Sequence, residues 1–278
     1  MTAIEAETQT AAQRASGSSF YLGMRLLPPR QREAVYEIYS FCRKVDDVAD
    51  DCGPRPARLA KLQRWRADLD SLYAGSPPPR LRGLVEPVRD FALAKDDFVA
   101  IIDGMQMDVV ADIRAPDLTT LDLYCDRVAS AVGRLCVKVF GMDEADGIAL
   151  SHHLGRALQL TNILRDLDED AGIGRLYLPR EALLNNGITE TEPSAVLAHP
   201  NLGKVCNLLI ERIRTHFAEA DRVMQRSPRK TVRTPRVMGE VYKLILEGLV
   251  ARGWAPPRER VRIGRPQLLW ILARYAVI

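Results

Sequence analysis

With 278 residues, 47% of them hydrophobic, the chain can bury a large core, enough for one large domain or two small ones, and one is expected. A formal charge of +3, with no compact Lys/Arg block interleaved with aromatics, sets nucleic-acid binding aside. The five cysteines are odd in number, scattered and without a CxxC pair, so they read as reduced thiols of a cytoplasmic protein, and no apolar run is long enough to span a membrane.

Residues 1–15, MTAIEAETQTAAQRA, contain acidic residues and no apolar h-region. They are read as a disordered N-terminus and not a signal peptide, with residues 16–278 forming a single helical domain. Apolar residues then recur at three-and-four spacing nearly everywhere, and no segment alternates with period two over a strand's length, which predicts an all-α fold. Helix breaks are expected where Gly and Pro gather: CGPRP (52–56), AGSPPP (74–79), IRAPD (113–117), AGIG (171–174), HPN (199–201), RSPRKTVRTP (226–235) and GWAPPRE (253–259).

The first helix with a chemical signature is AVYEIYSFCRKVDDVADD, residues 34–51. Val35, Ile38, Cys42, Val45 and Ala49 make one apolar face, while Tyr39, Arg43, Asp46 and Asp50 form a polar stripe about 100° around the axis. Further along, QLTNILRDLDED (159–170) puts four acidic residues into its last five positions. Gln159, Asn162, Asp166 and Asp170 repeat the polar stripe, Leu160, Leu164 and Leu167 supply apolar surface, and Gly172 offers a C-terminal stop.

DxxxD by itself is a weak signal, because it occurs five times: Asp46/Asp50, Asp47/Asp51, Asp108/Asp112, Asp122/Asp126 and Asp166/Asp170. Only the first and last pairs are extended by Tyr and Arg or by neutral amides, and the pairs at 108/112 and 122/126 are read as surface. Carboxylates four apart on a helix repel, so something should compensate. If the two stripes face each other, they make a hard-oxygen site suited to Mg²⁺ shared with a diphosphate, with Arg43 and Arg165 adding positive charge. No His or Cys lies nearby to favour Zn²⁺ or a redox metal.

Other features are weaker. His152 and His153 open the second Asp helix, His199 and His216 stand alone, and without HExxH spacing all four are read as structural or solvent-facing. No GxSxG or Cys/His signature supports a hydrolase. Residues 226–265 carry eleven Lys/Arg and three Glu. Contact with anionic lipid, helped by Trp254 or Trp270, and a set of solvated helix ends are equal readings of that stretch.

Five co-linear segments, SSFYLGMRLLP (18–28), YSFCRKVDDVADD (39–51), YCDRVASAVG (124–133), QLTNILRDLDED and GRLYLP (174–179), resemble the squalene/phytoene synthase family, which joins isoprenyl diphosphates head to head. Within it, SSFYLGMRLLP, YCDRVASAVG and DEDAGIGRLYLPRE resemble the branch that makes presqualene diphosphate in bacterial hopanoid biosynthesis. The resemblance implies a single all-α domain with helices around a deep cavity and the two Asp-rich helices across its mouth.

It further implies that Asp46, Asp50, Asp166, Asp170 and Asn162 hold Mg²⁺, that Arg43 and Tyr124 join these aspartates in catalysis, and that Gln159 faces substrate. By the same resemblance Ser16, Gly17, Ser18 and Ser19 form a diphosphate-contacting turn and Phe20 begins the adjoining wall. Tyr39, Arg43, Arg165 and Tyr242 match diphosphate contacts, Arg175 and Tyr177 join them, and DGMQMD, from Asp103 to Asp108, resembles a cavity-side segment. One departure is Arg127, which stands where animal squalene synthases carry a Tyr implicated in catalysis.

The implied reaction is Mg²⁺-dependent condensation of two farnesyl diphosphates to presqualene diphosphate, without NADPH. A downstream squalene-forming enzyme and peripheral contact with the inner face of the membrane are the implied partners. Phytoene synthesis from geranylgeranyl diphosphate, complete NADPH-dependent squalene synthesis and a non-catalytic assembly role are the alternatives. The intact aspartate motifs weigh against the last.

Overall fold

The computed structural model describes residue 11 and residues 21–110 and 113–276. Proline fixes φ near the helical value and lacks a donor that the first turn would leave unused, and it opens α1 (Pro29–Ala49) and follows the first residue of α2 (Arg55–Tyr73). After these come α3 (Lys95–Val110), α4 (Leu118–Cys125), a π-helical turn (Asp126–Ser130) and α5 (Ala131–Phe140). The second half holds α6 (Glu144–Arg165), α7 (Leu167–Gly172), α8 (Leu202–Arg226), α9 (Arg229–Arg252) and α10 (Arg265–Ala276). Shorter helical turns lie between them, and the β pairing among the described residues is an isolated bridge between Arg114 and Leu176.

Local chemistry places the boundaries. Asp117 caps α4 by accepting from Thr120 N, and Asp143 caps α6 by accepting from Ala145 N and Asp146 N. Gly141, at φ 73°, ends α5 in the left-handed conformation that glycine adopts without strain.

Two boundaries differ from the sequence expectation. In the stretch 226–235 the break is confined to Ser227 and Pro228, and Pro235 lies buried inside α9. A mid-helix proline removes one backbone donor. Here its ring lines an apolar cavity, a packing gain that Gly/Pro punctuation cannot register. The second acidic stretch is not one helix, because the chain offsets at Asp166, which leaves the helical region at φ −103°, ψ 19°. The i to i−4 bonds survive the offset, Asp166 N to Asn162 O at 2.9 Å and Asp170 N to Asp166 O at 2.8 Å, so the stripe continues onto α7. The left-handed residue beyond it is Gly174 (φ 78°), not Gly172.

α6 runs through the middle of the molecule and packs on α5, α8, α9 and the π turn. Small residues permit the closest approaches: a Cβ at Gly155 would lie 2.8 Å from Ser130 N, and one at Gly104 of α3 would lie 2.5 Å from Val128 Cγ1. Ile38, Val45, Phe98, Ile102, Leu135 and Leu164 fill one continuous apolar core, with Phe41 edge-on to both Trp65 and Phe98 at centroid distances of 5.5 and 5.0 Å.

Asp122 and Asp126, read as surface, are partly exposed and also have a structural task. The buried guanidinium of Arg156 donates to Asp122 at 2.8 Å through two nitrogens, to Asp126 at 3.3 Å and to Ser130 Oγ at 3.0 Å. A buried charge needs such partners. Nor does His216 stand alone: its Nδ1 lies 3.1 Å from His153 Nδ1, across the seam between α6 and α8.

Candidate active site

Helical periodicity turns Val35, Ile38 and Cys42 of α1 and Leu154 and Leu158 of α6 toward each other across a cavity of about 210 Å³. Val132 and Cys136 of α5 and Met238 of α9 complete an apolar wall. At one end the lining becomes polar, with Tyr39 from α1 and Gln159 and Asn162 from α6. These are members of the two sequence stripes, and the cavity is where the stripes meet.

The carboxylates follow these polar positions toward the C-terminal ends of α1 and α6 and onto α7. Arg43 donates to Asp46 at 2.6 Å and lies 3.5 Å from Asp47. Arg175, in the extended segment after α7, reaches across to Asp50 Oδ1 at 2.9 Å and to Ala49 O at 3.3 Å, tying the second motif's neighbourhood to the end of α1. Arg165 grips Asp166 through two nitrogens, at 2.8 and 2.6 Å, and together with Asn162 donates to the hydroxyl of buried Tyr242. Arg43, Asp46, Asp50, Arg165, Asp166, Arg175 and Tyr242 are therefore in these contacts, and Tyr39, Gln159 and Asn162 are in the cavity wall. Ser16, Gly17, Ser18, Ser19 and Phe20 lie outside the described residues.

Asp108 belongs here too, which corrects its reading as surface. It is 4% exposed and accepts hydrogen bonds from Tyr177 Oη at 2.8 Å and Tyr124 Oη at 3.1 Å, while the two tyrosine rings stack at 4.9 Å. The DGMQMD resemblance was the signal for it, and only half of that signal holds. Asp103, one and a half turns earlier, points to an outer groove, where Arg66 meets it at 2.5 Å and Arg127 at 3.9 Å.

Burial dominates the electrostatics. It raises the Asp46 carboxyl to about 6, with Asp50 adding to the effect, and raises Asp170 to about 7, with Asp166 next in size. Asp108 is raised by burial as well, against the pull of Arg175 and the two tyrosines, and it in turn raises both Asp46 and Asp170. A single buried carboxyl is thus felt by both aspartate motifs, which places them around one centre. Burial also pushes the Tyr124 and Tyr177 hydroxyls upward, so both stay protonated.

The remaining acids of the run are neutralised from outside. Arg258 pairs with Asp168 at 2.6 Å, while Arg260 pairs with Glu169 and reaches Asp166 at 3.2 Å. Four of the eleven Lys/Arg in 226–265 are paired in this way, the others being Arg226 on Asp146 and Lys243 on Asp221.

A hard divalent cation fits the residues present. The donors are oxygens from both motifs, and the buried amide oxygen of Asn162 accepts no hydrogen bond. An orphaned buried acceptor costs about 1–3 kcal/mol, and a bound cation would remove that cost.

Residues 13–267 match the family described as squalene/phytoene synthase. The chain is 61% identical over 264 residues, 95% of each chain, to a presqualene diphosphate synthase from Rhodopseudomonas palustris. It is 59% identical, again over 95% of each, to one from Sinorhizobium fredii. Among solved structures it is similar to a dehydrosqualene synthase, with a TM-score of 0.83 and 24% identity over 96% of this chain and 94% of that one, a likeness of fold.

Proposed function

The chain belongs to the squalene/phytoene synthase family, and from that premise we propose that it joins two farnesyl diphosphates head to head, releasing diphosphate and forming presqualene diphosphate. The observation that carries this reading is the convergence of both aspartate motifs around Asp108 and Arg175, on the same helices whose preceding polar residues Tyr39, Gln159 and Asn162 line an apolar cavity.

Asp46, Asp50, Asn162, Asp166 and Asp170 would hold Mg²⁺, which when bound neutralises charge on a departing diphosphate. Arg43, Arg165 and Arg175, each now resting on a carboxylate, would grip the diphosphate oxygens together with Tyr39 and Tyr242, and Ser16, Gly17, Ser18, Ser19 and Phe20 are proposed to contact the same group. As the C1–O bond of one substrate breaks, the C2–C3 double bond of the other attacks C1. Loss of one proton then closes the cyclopropane. Gln159 orients the acceptor, and the apolar wall keeps water from the allylic cation.

Tyr124 and Tyr177 offer the leaving proton a hydrogen-bonded route to Asp108, a carboxylate that burial already inclines to take it up. At about 210 Å³ the cavity is below the roughly 300–1,000 Å³ of preformed small-molecule pockets, so two prenyl chains enter by displacing flexible wall residues such as Met24 and Met238.

No nicotinamide is expected to be needed, and reduction would fall to a downstream squalene-forming enzyme on a route to hopanoids. The location is read as cytoplasmic. Peripheral membrane contact is supported by α10, which leaves Leu269 and Trp270 66% and 60% exposed.

Incubation with farnesyl diphosphate and Mg²⁺, followed by mass spectrometry, tests the reading. Presqualene diphosphate should form with or without NADPH and vanish in the double variant Asp46→Asn, Asp166→Asn. Turnover that survives in that variant would remove the metal-centred assignment.

A further inference from the structure

Neighbouring residues on a helix diverge by about 100°, so His152 and His153 can address one point only if a third group enters between them from another element. His216, from α8, does so. Ligand nitrogens of the three rings lie within 4.8 Å of one another, His153 Nδ1 and His216 Nδ1 are 3.1 Å apart, and ring centroids are separated by 4.7 to 5.9 Å. Tetrahedral Zn²⁺ with Zn–N bonds of about 2.0–2.1 Å sets its nitrogens roughly 3.3 Å apart, close to the His153–His216 spacing. The exposed His152 ring is free to swing the remaining distance.

We propose that His152, His153 and His216 form a binding site for one nitrogen-preferring divalent transition metal, Zn²⁺ above all, with water completing four ligands. The charges facing the trio permit it. Arg156 and Arg212 are cationic, but Arg156 is neutralised by Asp122 and Asp126, Asp122 also lies 3.9 Å from Arg212, and Glu219 faces His153. Burial is the largest cause at all three imidazoles, with Arg156 next at His152, the other two rings next at His216, which is lowered to about 4, and Glu219 opposing the shift at His153.

The site is separate from the prenyl-coupling centre. Along α6, His153 precedes Asn162 by nine residues, roughly 13 Å at 1.5 Å per residue. Metal there would bind α6 to α8 and stiffen the helix that presents Gln159 and Asn162.

The test is Co²⁺ titration of untagged, full-length, EDTA-dialysed protein in excess Mg²⁺. One Co²⁺ per chain with intense visible bands of tetrahedral nitrogen ligation is expected, displaced by one equivalent of Zn²⁺, and accompanied by a rise in Tm that EDTA reverses. The bands should be lost in His153→Ala, in His216→Gln and in the exposed-site variant His152→Ala, and retained in Asp170→Asn. Circular dichroism and Mg²⁺-dependent turnover should stay at wild-type levels in the His variants. Weak octahedral bands alone, no uptake at micromolar Co²⁺, or a tetrahedral signal that survives the His variants would overturn the proposal.

Discussion

At Asp170, burial and then the neighbouring Asp166 hold the carboxyl near pKa 7, and at Asp46 burial and then Asp50 hold it near 6. Both folded values exceed the unfolded one of about 3.9, so between these limits the folded protein binds protons that the unfolded chain does not. The stability these groups contribute is therefore present below about pH 4 and lost as pH rises through 6 and 7. Calorimetry of metal-free protein should find Asp170→Asn with a higher Tm than wild type at pH 8 and the gap narrowing toward pH 5. The same substitution should cost about a hundredfold or more in turnover, the scale of losing a group aimed at developing charge. Because cation binding must displace those protons, the Mg²⁺ concentration for half-maximal rate should rise as pH falls from 8 to 6. Asp108 differs, since its hydrogen bonds come from two tyrosine hydroxyls, and Asp108→Asn should lower kcat more than it changes the Mg²⁺ requirement.

Among the elements, the π turn is the hub against which α3 and α6 pack, with Gly155 the point where α6 meets its backbone. Gly155→Ala forces a Cβ onto the backbone of Ser130, and about 1–3 kcal/mol of stability should be lost, read as a lower urea midpoint with unchanged m-value. Sequence made the helices and both stripes legible, because Val35 to Ala49 and Gln159 to Asp170 keep a helical period that burial on one face demands. The offset at Asp166, the burial of Pro235, the inward turn of Asp108 and the meeting of His216 with His152 and His153 depend on what packs opposite each residue, and one chain's local pattern carries no record of that. The bare DxxxD at 122/126 misled for the same reason, since its partner Arg156 lies thirty residues away on another helix.

Across the whole molecule, part of the charge is spent internally. Arg226, Lys243, Arg258 and Arg260 each sit on an acidic partner, which takes four of the eleven Lys/Arg of residues 226–265 out of any field toward anionic lipid. Apolar Leu269 and Trp270 are the exposed anchors for any membrane contact: co-sedimentation with anionic vesicles should fall sharply in Leu269→Ser with Trp270→Ser. On the proposed function, the apolar cavity, the aspartate cluster and the arginines that brace it would form one apparatus for ionising an allylic diphosphate away from water. The most direct measurement is a competition: equal farnesyl and geranylgeranyl diphosphate, with Mg²⁺ and NADPH present, and products identified by mass spectrometry. Presqualene diphosphate as the dominant product is the expected result, whereas phytoene or squalene in its place would contradict the reading.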